Sequence, residues 1–373
     1  MTVAPPLAVL AEVTHRCSMR CAYCSNPLSL EPATHELDPQ TWCRVLGEAA
    51  ALGVLQVHFS GGEPAARLDL PLLVAHAASL GLYTNLITSG VLLDRDAVRR
   101  LADAGLEHVQ LSIQDTDASA GERIGGLSGA HRRKLEAATL IREASLALTV
   151  NAVIHRHNAS RVGDMIELAL ALGASRIEIA HAQYYGWALA NRAALLPSRE
   201  QVAFTTRLVE EARIELAGRL VIDYVVPDYH ARLPKGCMGG WGRRFLMVDP
   251  RGRALPCHAA ATIPGMSLPS VREAGLEEIW YESAAFNRFR GIGWMPEPCA
   301  SCDRREIDWG GCRCQALALA GDAAAADPVC HKSPAHHRIE EIVGAISASA
   351  PTGSAAQPLV YRGRRHQSSS VAP

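Results

Sequence analysis

The stretch Cys17-Ser-Met-Arg-Cys21-Ala-Tyr-Cys24 places three cysteines within eight positions, in the spacing C-x3-C-x2-C. Such close spacing suits one polynuclear iron–sulfur centre better than separate disulfides, because thiolate is the soft ligand that these clusters use. A common bacterial cluster takes four cysteines, and no fourth follows nearby. The stretch therefore predicts a cluster with one iron open to an outside ligand. The alternative is a zinc site, or three cysteines that bind no metal. Structural zinc, however, normally has four protein ligands.

The composition of the 373-residue chain indicates a folded protein with more than one domain, since 48% of residues are hydrophobic and 20% are charged. A net charge of −1 gives no signal for nucleic acid or an anionic membrane. The eleven cysteines fall mainly in two groups, and C-x-x-C spacings without an export signal indicate metal ligands. No apolar run is long enough to span a bilayer, so we expect a soluble, cytoplasmic protein.

From Leu7 onward, apolar segments of strand length alternate with amphipathic helical segments. This alternation predicts βαβ units and a parallel sheet with right-handed crossovers. Six βα units fall short of the eight of a closed TIM barrel, so the α/β fold class expected for residues 5–225 is a partial, TIM-like (β/α)6 barrel. Asp38 and Pro39 are a typical N-cap and first residue for the first helix.

A second motif, Gly61-Gly62-Glu63, follows the next predicted strand. Active sites of parallel sheets lie beyond the carboxyl ends of their strands, so this motif and the cysteine loop should meet at one edge. Glycines let the backbone approach a ligand, and a carboxylate accepts hydrogen bonds from an ammonium group. A plain turn at a strand end is the alternative interpretation of the motif taken alone.

Polar side chains on two later strands are weaker candidates for binding a ligand. Ser112 and Gln114 share one face of the strand around Leu111, and Asn151 lies on the next strand. We expect them to contact ribose or carboxylate groups of a cofactor. The alternative is a set of polar side chains that satisfy one another inside the barrel.

The cysteine loop after an apolar run, with Gly-Gly-Glu one βα unit later, resembles the radical S-adenosylmethionine (SAM) superfamily. The resemblance implies that Cys17, Cys21 and Cys24 hold a [4Fe–4S] cluster whose open iron is chelated by SAM. Reduction of the cluster would then cleave SAM to methionine and a 5′-deoxyadenosyl radical. The same resemblance assigns the binding of the amino group of SAM to Gly61, Gly62 and Glu63.

The second group of cysteines has the pattern C-x14-G-x4-C, then C-x2-C-x5-D-x3-C-x-C, then a last cysteine. It resembles the SPASM domain, expected over 230–346, which implies two auxiliary iron–sulfur clusters of [2Fe–2S] or [4Fe–4S] type. The pairing in that family gives one cluster Cys237, Cys257 and Cys312, with Cys314 as the natural fourth ligand. The other would take Cys299, Cys302 and Cys330, with Asp308 where the family has cysteine. A zinc ribbon at Cys299 and Cys302 would leave the other five thiols unexplained.

The chain departs from the SPASM pattern in two ways: Asp308 replaces a cysteine, and Cys314 is an added thiol. These two departures and the segment 181–187 make the chain most similar to the pyrroloquinoline quinone (PQQ) biosynthesis protein E family, over 5–335. The resemblance implies an oxidoreductase that joins a Glu and a Tyr of a PqqA-like precursor peptide through a carbon–carbon bond. With the first strand at Leu7, no N-terminal leader-binding domain is expected, so a PqqD-like chaperone would present the peptide. An electron donor such as flavodoxin would reduce the cluster.

Two other functions remain open at this point. The chain could be another SPASM peptide maturase, either a thioether-forming enzyme or a residue oxidase. It could also be an electron-transfer iron–sulfur protein, although such a protein needs neither Gly61-Gly62-Glu63 nor a near-complete barrel. Residues 347–373 are rich in Ser, Ala, Pro and Arg and are expected to be disordered.

Overall fold

The structure is a computed structural model that describes residues 3–348 and 358–363. Its strands are β1 (Ala8–Thr14), β2 (Gln56–Gly61), β3 (Tyr83–Thr88), β4 (His108–Ile113), β5 (Ala147–Ile154), β6 (Arg176–His181), β7 (Val221–Val225), β8 (Phe245–Val248) and β9 (Ala254–Leu255). They form one nine-stranded sheet in the order β7-β6-β5-β4-β3-β2-β1-β8-β9. Strands β1 to β7 each pair in parallel with their neighbours along the chain. With β7 at one edge and β9 at the other, the predicted partial barrel is confirmed.

Helices α1 to α9 connect the strands of the barrel, and α10 to α14 follow the last strand. They are α1 (Pro39–Leu52), α2 (Leu70–Ser79), α3 (Arg95–Asp103), α4 (Ala118–Gly125), α5 (Ala130–Glu143), α6 (Val162–Ala171), α7 (Gly186–Ala190), α8 (Arg192–Leu195), α9 (Arg199–Glu215), α10 (Leu276–Glu282), α11 (Ala284–Asn287), α12 (Arg305–Asp308), α13 (Arg313–Ala320) and α14 (His336–Ala348). Asp38 caps α1 as predicted, because its carboxylate accepts from the Thr41 N–H at 2.8 Å.

Alternate residues of the strands face the helices or the inside of the barrel. In β2, Val57 and Phe59 are fully buried in the main apolar core, where Trp42 and Leu46 of α1 also lie. Ser60 is the next residue after Phe59, and it lines a cavity at the carboxyl edge of the sheet. The strand pattern therefore supplies both the core and the wall of the site.

Strand β8 joins the barrel to the chain that follows it. It pairs in parallel with β1, from Ala8 opposite Phe245 to Ala11 opposite Val248, and it pairs antiparallel with β9. β8 and β9 form a hairpin, with the Gly252 N–H donating to the Asp249 carbonyl at 2.9 Å across the turn. The region that resembles a SPASM domain thus shares a sheet with the barrel.

The expected disordered tail lies mostly outside the described residues, at 349–357 and 364–373. Two parts of it are described: α14 reaches Ala348, and residues 358–363 lie against the barrel. Among the described residues, no helix combines the length and apolar character needed to cross a membrane.

Candidate active site

The three cysteines of the first motif lie on the loop that follows β1, at the carboxyl edge of the barrel. Cys17, Cys21 and Cys24 all line a cavity of about 300 Å³ at that edge. Gly61 and Gly62, which end β2 and begin the next turn, line the same cavity. The expectation that the two motifs meet at one place therefore agrees with the geometry.

Backbone hydrogen bonds from two sides fix the cysteine loop. The N–H groups of Arg20 and Ala22 donate to carbonyls at the end of α4, at 2.8 and 2.9 Å. On the other side, the Cys24 carbonyl accepts from the Trp187 N–H at 3.0 Å. Helix α4 was not predicted from the sequence, yet it supplies half of this support.

The glycine pair is packed directly on the start of the cysteine loop. The Gly62 N–H donates to the Thr14 carbonyl at 2.6 Å, and the Glu63 N–H donates to the Arg16 carbonyl at 2.7 Å. A Cβ atom on Gly61 would lie 2.1 Å from the Thr14 oxygen, and one on Gly62 would lie 2.5 Å from the Arg16 oxygen. Gly61 also has φ of +131°, so the close approach requires glycine.

The Glu63 carboxylate is bonded to the end of β3. Its side chain is fully buried, and one carboxylate oxygen accepts from the Thr88 hydroxyl at 2.6 Å. The other accepts from the N–H of Ser89 at 2.9 Å and from the Ser89 hydroxyl. Glu63 is not among the residues that line the cavity, whereas Thr88 and Ser89 are. In this structure Glu63 fixes the end of β3, and its contact with a ligand stays a prediction.

The three thiols are partly buried, and two positive charges lie near them. Burial raises the pKa of Cys21 to about 12 and also raises the pKa of Cys17 and Cys24. The charge of Arg362 lowers the pKa of all three, and the charge of Lys134 lowers that of Cys21. Cysteine binds iron as the thiolate, so cluster assembly would release the thiol protons. The charges of Arg362 and Lys134 favour the thiolate form and would therefore assist this release.

Lys134 is an unusual buried lysine on α5, with 1% of its surface exposed. Its ammonium group donates to the Ser112 carbonyl at 2.7 Å, and burial lowers its pKa to about 8.

Ser112 and Gln114 line the cavity as expected. Asn151 does not line it and instead donates to the Glu178 carboxylate at 2.8 Å. The structure therefore brings two of these three polar candidates to the cavity.

Four of the later cysteines come together around one point. The sulfur atoms of Cys257 and Cys314 are 3.7 Å apart, and Cys237 and Cys312 lie in the same apolar cluster. The predicted set for the first auxiliary cluster is thus one group in space. Its members come from three places in the chain, and the i, i+2 pair of Cys312 and Cys314 spans the start of α13.

The second predicted set also shares a place. Cys299, Cys302, Asp308 and Cys330 all line one small cavity. The Asp308 side chain is 8% exposed and accepts from the Gly310 N–H at 3.1 Å. Within the described chain, no three His, Cys, Asp or Glu side chains are arranged to hold a single metal ion. Ligands of a polynuclear cluster bind different irons and do not need that arrangement.

Two buried ionisable side chains, Arg313 and Asp327, lie near the two sets of C-terminal cysteines. Arg313 is 1% exposed and donates to the Ala325 carbonyl at 2.8 Å. Burial lowers its pKa, while Asp327 and thiols of both sets raise it. Asp327 accepts from the Cys312 N–H at 2.7 Å, and burial raises its pKa to about 7. Neither residue carries a local sequence signal, because only the fold brings them to the cysteines.

One tyrosine links the barrel to the later cysteines. The hydroxyl of Tyr185, on the loop after β6, lies 2.8 Å from the Cys312 sulfur. Its neighbours His181, Gln183 and Trp187 line the cavity of the cysteine loop. The segment 181–187 therefore touches both candidate cofactor sites.

Comparisons with known proteins agree with this geometry. Residues 11–169 match the Radical SAM superfamily, and residues 237–303 match the SPASM family, an iron–sulfur cluster-binding domain. A PqqA peptide cyclase of Granulibacter bethesdensis is 59% identical over 361 residues, which cover 97% of this chain and 95% of that protein. A PqqA peptide cyclase of Rhodopseudomonas palustris is 60% identical over 345 residues, which cover 92% of each chain.

The chain belongs to the PqqA peptide cyclase family. It is a radical SAM enzyme with a SPASM domain, as the motifs implied. Among solved structures, Streptococcus suis SuiB bound to S-adenosylmethionine has a TM-score of 0.72 at 20% identity, covering 88% of this chain and 78% of that chain. The structure of anSMEcpe with bound AdoMet and Cp18Cys peptide has a TM-score of 0.64 at 14% identity, covering 92% and 100%. These likenesses show the fold.

The individual side chains of the cavity come from the structure rather than from family membership. Sequence reasoning found the thiols, Gly61 and Gly62, but missed several residues of the cavity. Thr88 and Ser89 could have been found, because they end a predicted strand at the same edge of the sheet. Arg362 was missed because its segment was assigned to a disordered tail.

Proposed function

We propose that this enzyme cyclises a PqqA-type precursor peptide by joining a glutamate carbon to a tyrosine ring carbon. The observation that carries the proposal is the cavity lined by Cys17, Cys21, Cys24, Gly61 and Gly62, in a chain whose relatives are PqqA peptide cyclases. In this reading the three thiols hold a [4Fe–4S] cluster and the glycine wall admits SAM. When bound and reduced, that pair supplies the radical that abstracts hydrogen.

The residues present fit such a group. The three thiols share one cavity wall, and a Cβ atom on Gly61 or Gly62 would collide with the cysteine loop. Ser112 and Gln114 provide polar groups on the inner wall, where a ribose or carboxylate would find partners. Tyr23 is buried beside Gln114 and offers an aromatic face in the same cavity.

The peptide would occupy the side of the cavity that faces the C-terminal domain. His181 and Gln183 line it from the end of β6, and burial lowers the pKa of His181 to about 3, so its ring is neutral. Opposite them are Glu12 and His258. Burial acts to raise the pKa of Glu12, but hydrogen bonds to His15 and His258 lower it to about 2. A fixed carboxylate therefore stands at this wall.

The enzyme's own groups serve mainly to confine the reactants. The buried walls exclude water from the thiol edge, and a peptide held across the cavity presents two of its side chains to each other. The first set of C-terminal cysteines, including Cys314, and the second set, completed by Asp308, would each hold one auxiliary cluster. These clusters would accept and donate single electrons. We further propose that a PqqD-like chaperone presents the peptide and that a flavodoxin supplies the reducing electron.

The test combines enzyme, reductant, SAM, chaperone and precursor peptide. We expect a peptide that is lighter by two hydrogens, with the loss mapped by tandem mass spectrometry to one Glu and one Tyr. The variant with Cys17, Cys21 and Cys24 all changed to Ala should form no 5′-deoxyadenosine. A cysteine thioether in the product would show that the enzyme is a different kind of maturase. Equal cross-linking without the chaperone would refute its proposed role.

A further inference from the structure

Residues 358–363 form a short segment, here named the C-terminal strap, that lies against the barrel beside the cysteine loop. Leu359 and Tyr361 of the strap pack in an apolar cluster that contains Ala22 of the cysteine loop and Tyr184. The strap thus covers the outer side of the loop. The burial of two of its apolar side chains gives it a defined position.

Hydrogen bonds fix the register of the strap. The Val360 N–H donates to the Asn191 side-chain oxygen at 2.7 Å, and the Asn191 amide nitrogen donates to the Val360 carbonyl at 2.8 Å. The same amide nitrogen donates to the Ala22 carbonyl at 2.9 Å. The Tyr361 hydroxyl donates to the Arg123 carbonyl at 2.8 Å. Asn191 is 3% exposed, so it links the strap and the cysteine loop through one buried amide.

This register brings Arg362 to the start of the cysteine loop. Its guanidinium donates to the carbonyl of Cys17 at 2.8 Å and to that of Met19 at 2.5 Å. Arg362 also lines the cavity that the three thiols share. Because carbonyl groups carry no net charge, these bonds leave the positive charge of the guanidinium uncancelled.

We propose that Arg362 is a positioning residue of the cofactor site, which holds the cysteine loop and makes the bound cluster easier to reduce. This inference rests on the proposed function, since it takes Cys17, Cys21 and Cys24 as the cluster ligands. A cluster becomes more negative when it gains an electron. A nearby fixed cation stabilises the reduced form, and net charge near a cluster is one of the factors that set its potential.

Arginine suits both parts of this role. Its planar guanidinium can bridge two carbonyls while it stays charged at any physiological pH. Both hydrogen bonds come from one nitrogen, Nη2, so lysine would keep the charge and a donor, whereas glutamine would keep a donor without the charge. The three side chains therefore separate the effect of charge from the effect of bonding.

The experiment measures the midpoint potential of the N-terminal cluster in the full-length, iron-loaded protein. Its EPR signal is recognised by the change that SAM addition causes. We expect Arg362→Gln to shift this midpoint to a more negative value, with unchanged iron content. Arg362→Lys should stay close to wild type. Arg176→Gln is the matched control, because Arg176 is exposed at the amino end of β6, on the opposite side of the barrel.

The outcomes separate this inference from the proposed function. An SAM-responsive signal that survives in the triple Cys17, Cys21 and Cys24 to Ala variant would overturn the proposed cluster site itself. If that signal is lost there as expected, an unchanged midpoint in Arg362→Gln would overturn the role of Arg362 alone. A shift of equal size in Arg362→Lys or in Arg176→Gln would also overturn it, because charge at this position would not be the cause. Arg362→Ala, which removes both hydrogen bonds, should speed amide exchange of residues 17–24, and unchanged exchange in that variant would overturn the holding role.

Discussion

Replacing Gly62 by alanine should separate the two motifs that form the cavity. The added Cβ atom would lie 2.5 Å from the Arg16 oxygen, 2.6 Å from the His15 oxygen and 2.7 Å from the His15 carbonyl carbon. Uncharged contacts of this kind are normally near 3.5 Å, so the chain must move by roughly 1 Å. All three atoms are backbone, and they lie immediately before Cys17. The displacement therefore reaches the first thiol directly.

The cost follows from the same contacts. Forced overpacking typically costs about 1–3 kcal/mol, and the 2.6 Å bond from the Gly62 N–H to the Thr14 carbonyl would be lengthened as well. Gly47 offers a matched control in helix α1, since a Cβ atom there would meet nothing within 4 Å. Alanine at that position should stabilise the helix by about 0.5–1 kcal/mol.

Thermal unfolding, iron content and SAM binding together give the assay. In a chain of this length we expect Gly62→Ala to lower Tm by about 1–4 °C and Gly47→Ala to raise it by about 1 °C. Gly62→Ala should also lose the SAM-responsive cluster signal, while Gly47→Ala keeps it. A Gly62→Ala protein with wild-type Tm and an intact signal would refute the steric reasoning.

Three further changes test the cluster sites. Tyr185→Phe removes the hydroxyl 2.8 Å from the Cys312 sulfur, which should make the first auxiliary cluster harder to reduce, because a hydrogen bond to sulfur stabilises the reduced form. A redox titration that matches wild type would contradict this. Cys314→Ala should lose iron from the first auxiliary cluster alone, and full iron content would show that Cys314 is not a ligand. Asp308→Cys should keep the second cluster but change its potential and lower cross-linking, so an unchanged spectrum would count against ligation by Asp308.

The features that the sequence predicted well are those with local causes. Strand and helix alternation predicted the parallel sheet, and the Asp38 cap predicted the start of α1. The cysteine loop and the glycine pair could be placed at one edge because all parallel strands end there. The break between α10 and α11 also has a local cause, since Ser283 is extended and caps α11 by accepting from the Phe286 N–H.

The parts that escaped prediction depend on contacts between distant residues. No local pattern shows that β8 pairs with β1, because the partners are far apart in the chain. The hydrogen bonds from the hydroxyl groups of Thr88 and Ser89 to the Glu63 carboxylate could not be predicted either, because they join the ends of two different strands. The strap was not predicted because disorder was inferred from the average composition of residues 347–373. The three side chains that hold the strap in place do not change that average.

The pairing of β1 with β8 has a consequence for how the protein is made. About 240 residues separate the two strands, so β1 has no partner on that side until β8 has left the ribosome. At bacterial translation speeds this takes roughly 10–50 s, during which β1 is an exposed edge that can pair with another chain. Truncation before β8 would make that exposure permanent. Strand β8, at the start of the last third of the chain, thus covers an edge of β1 that another chain could otherwise pair with.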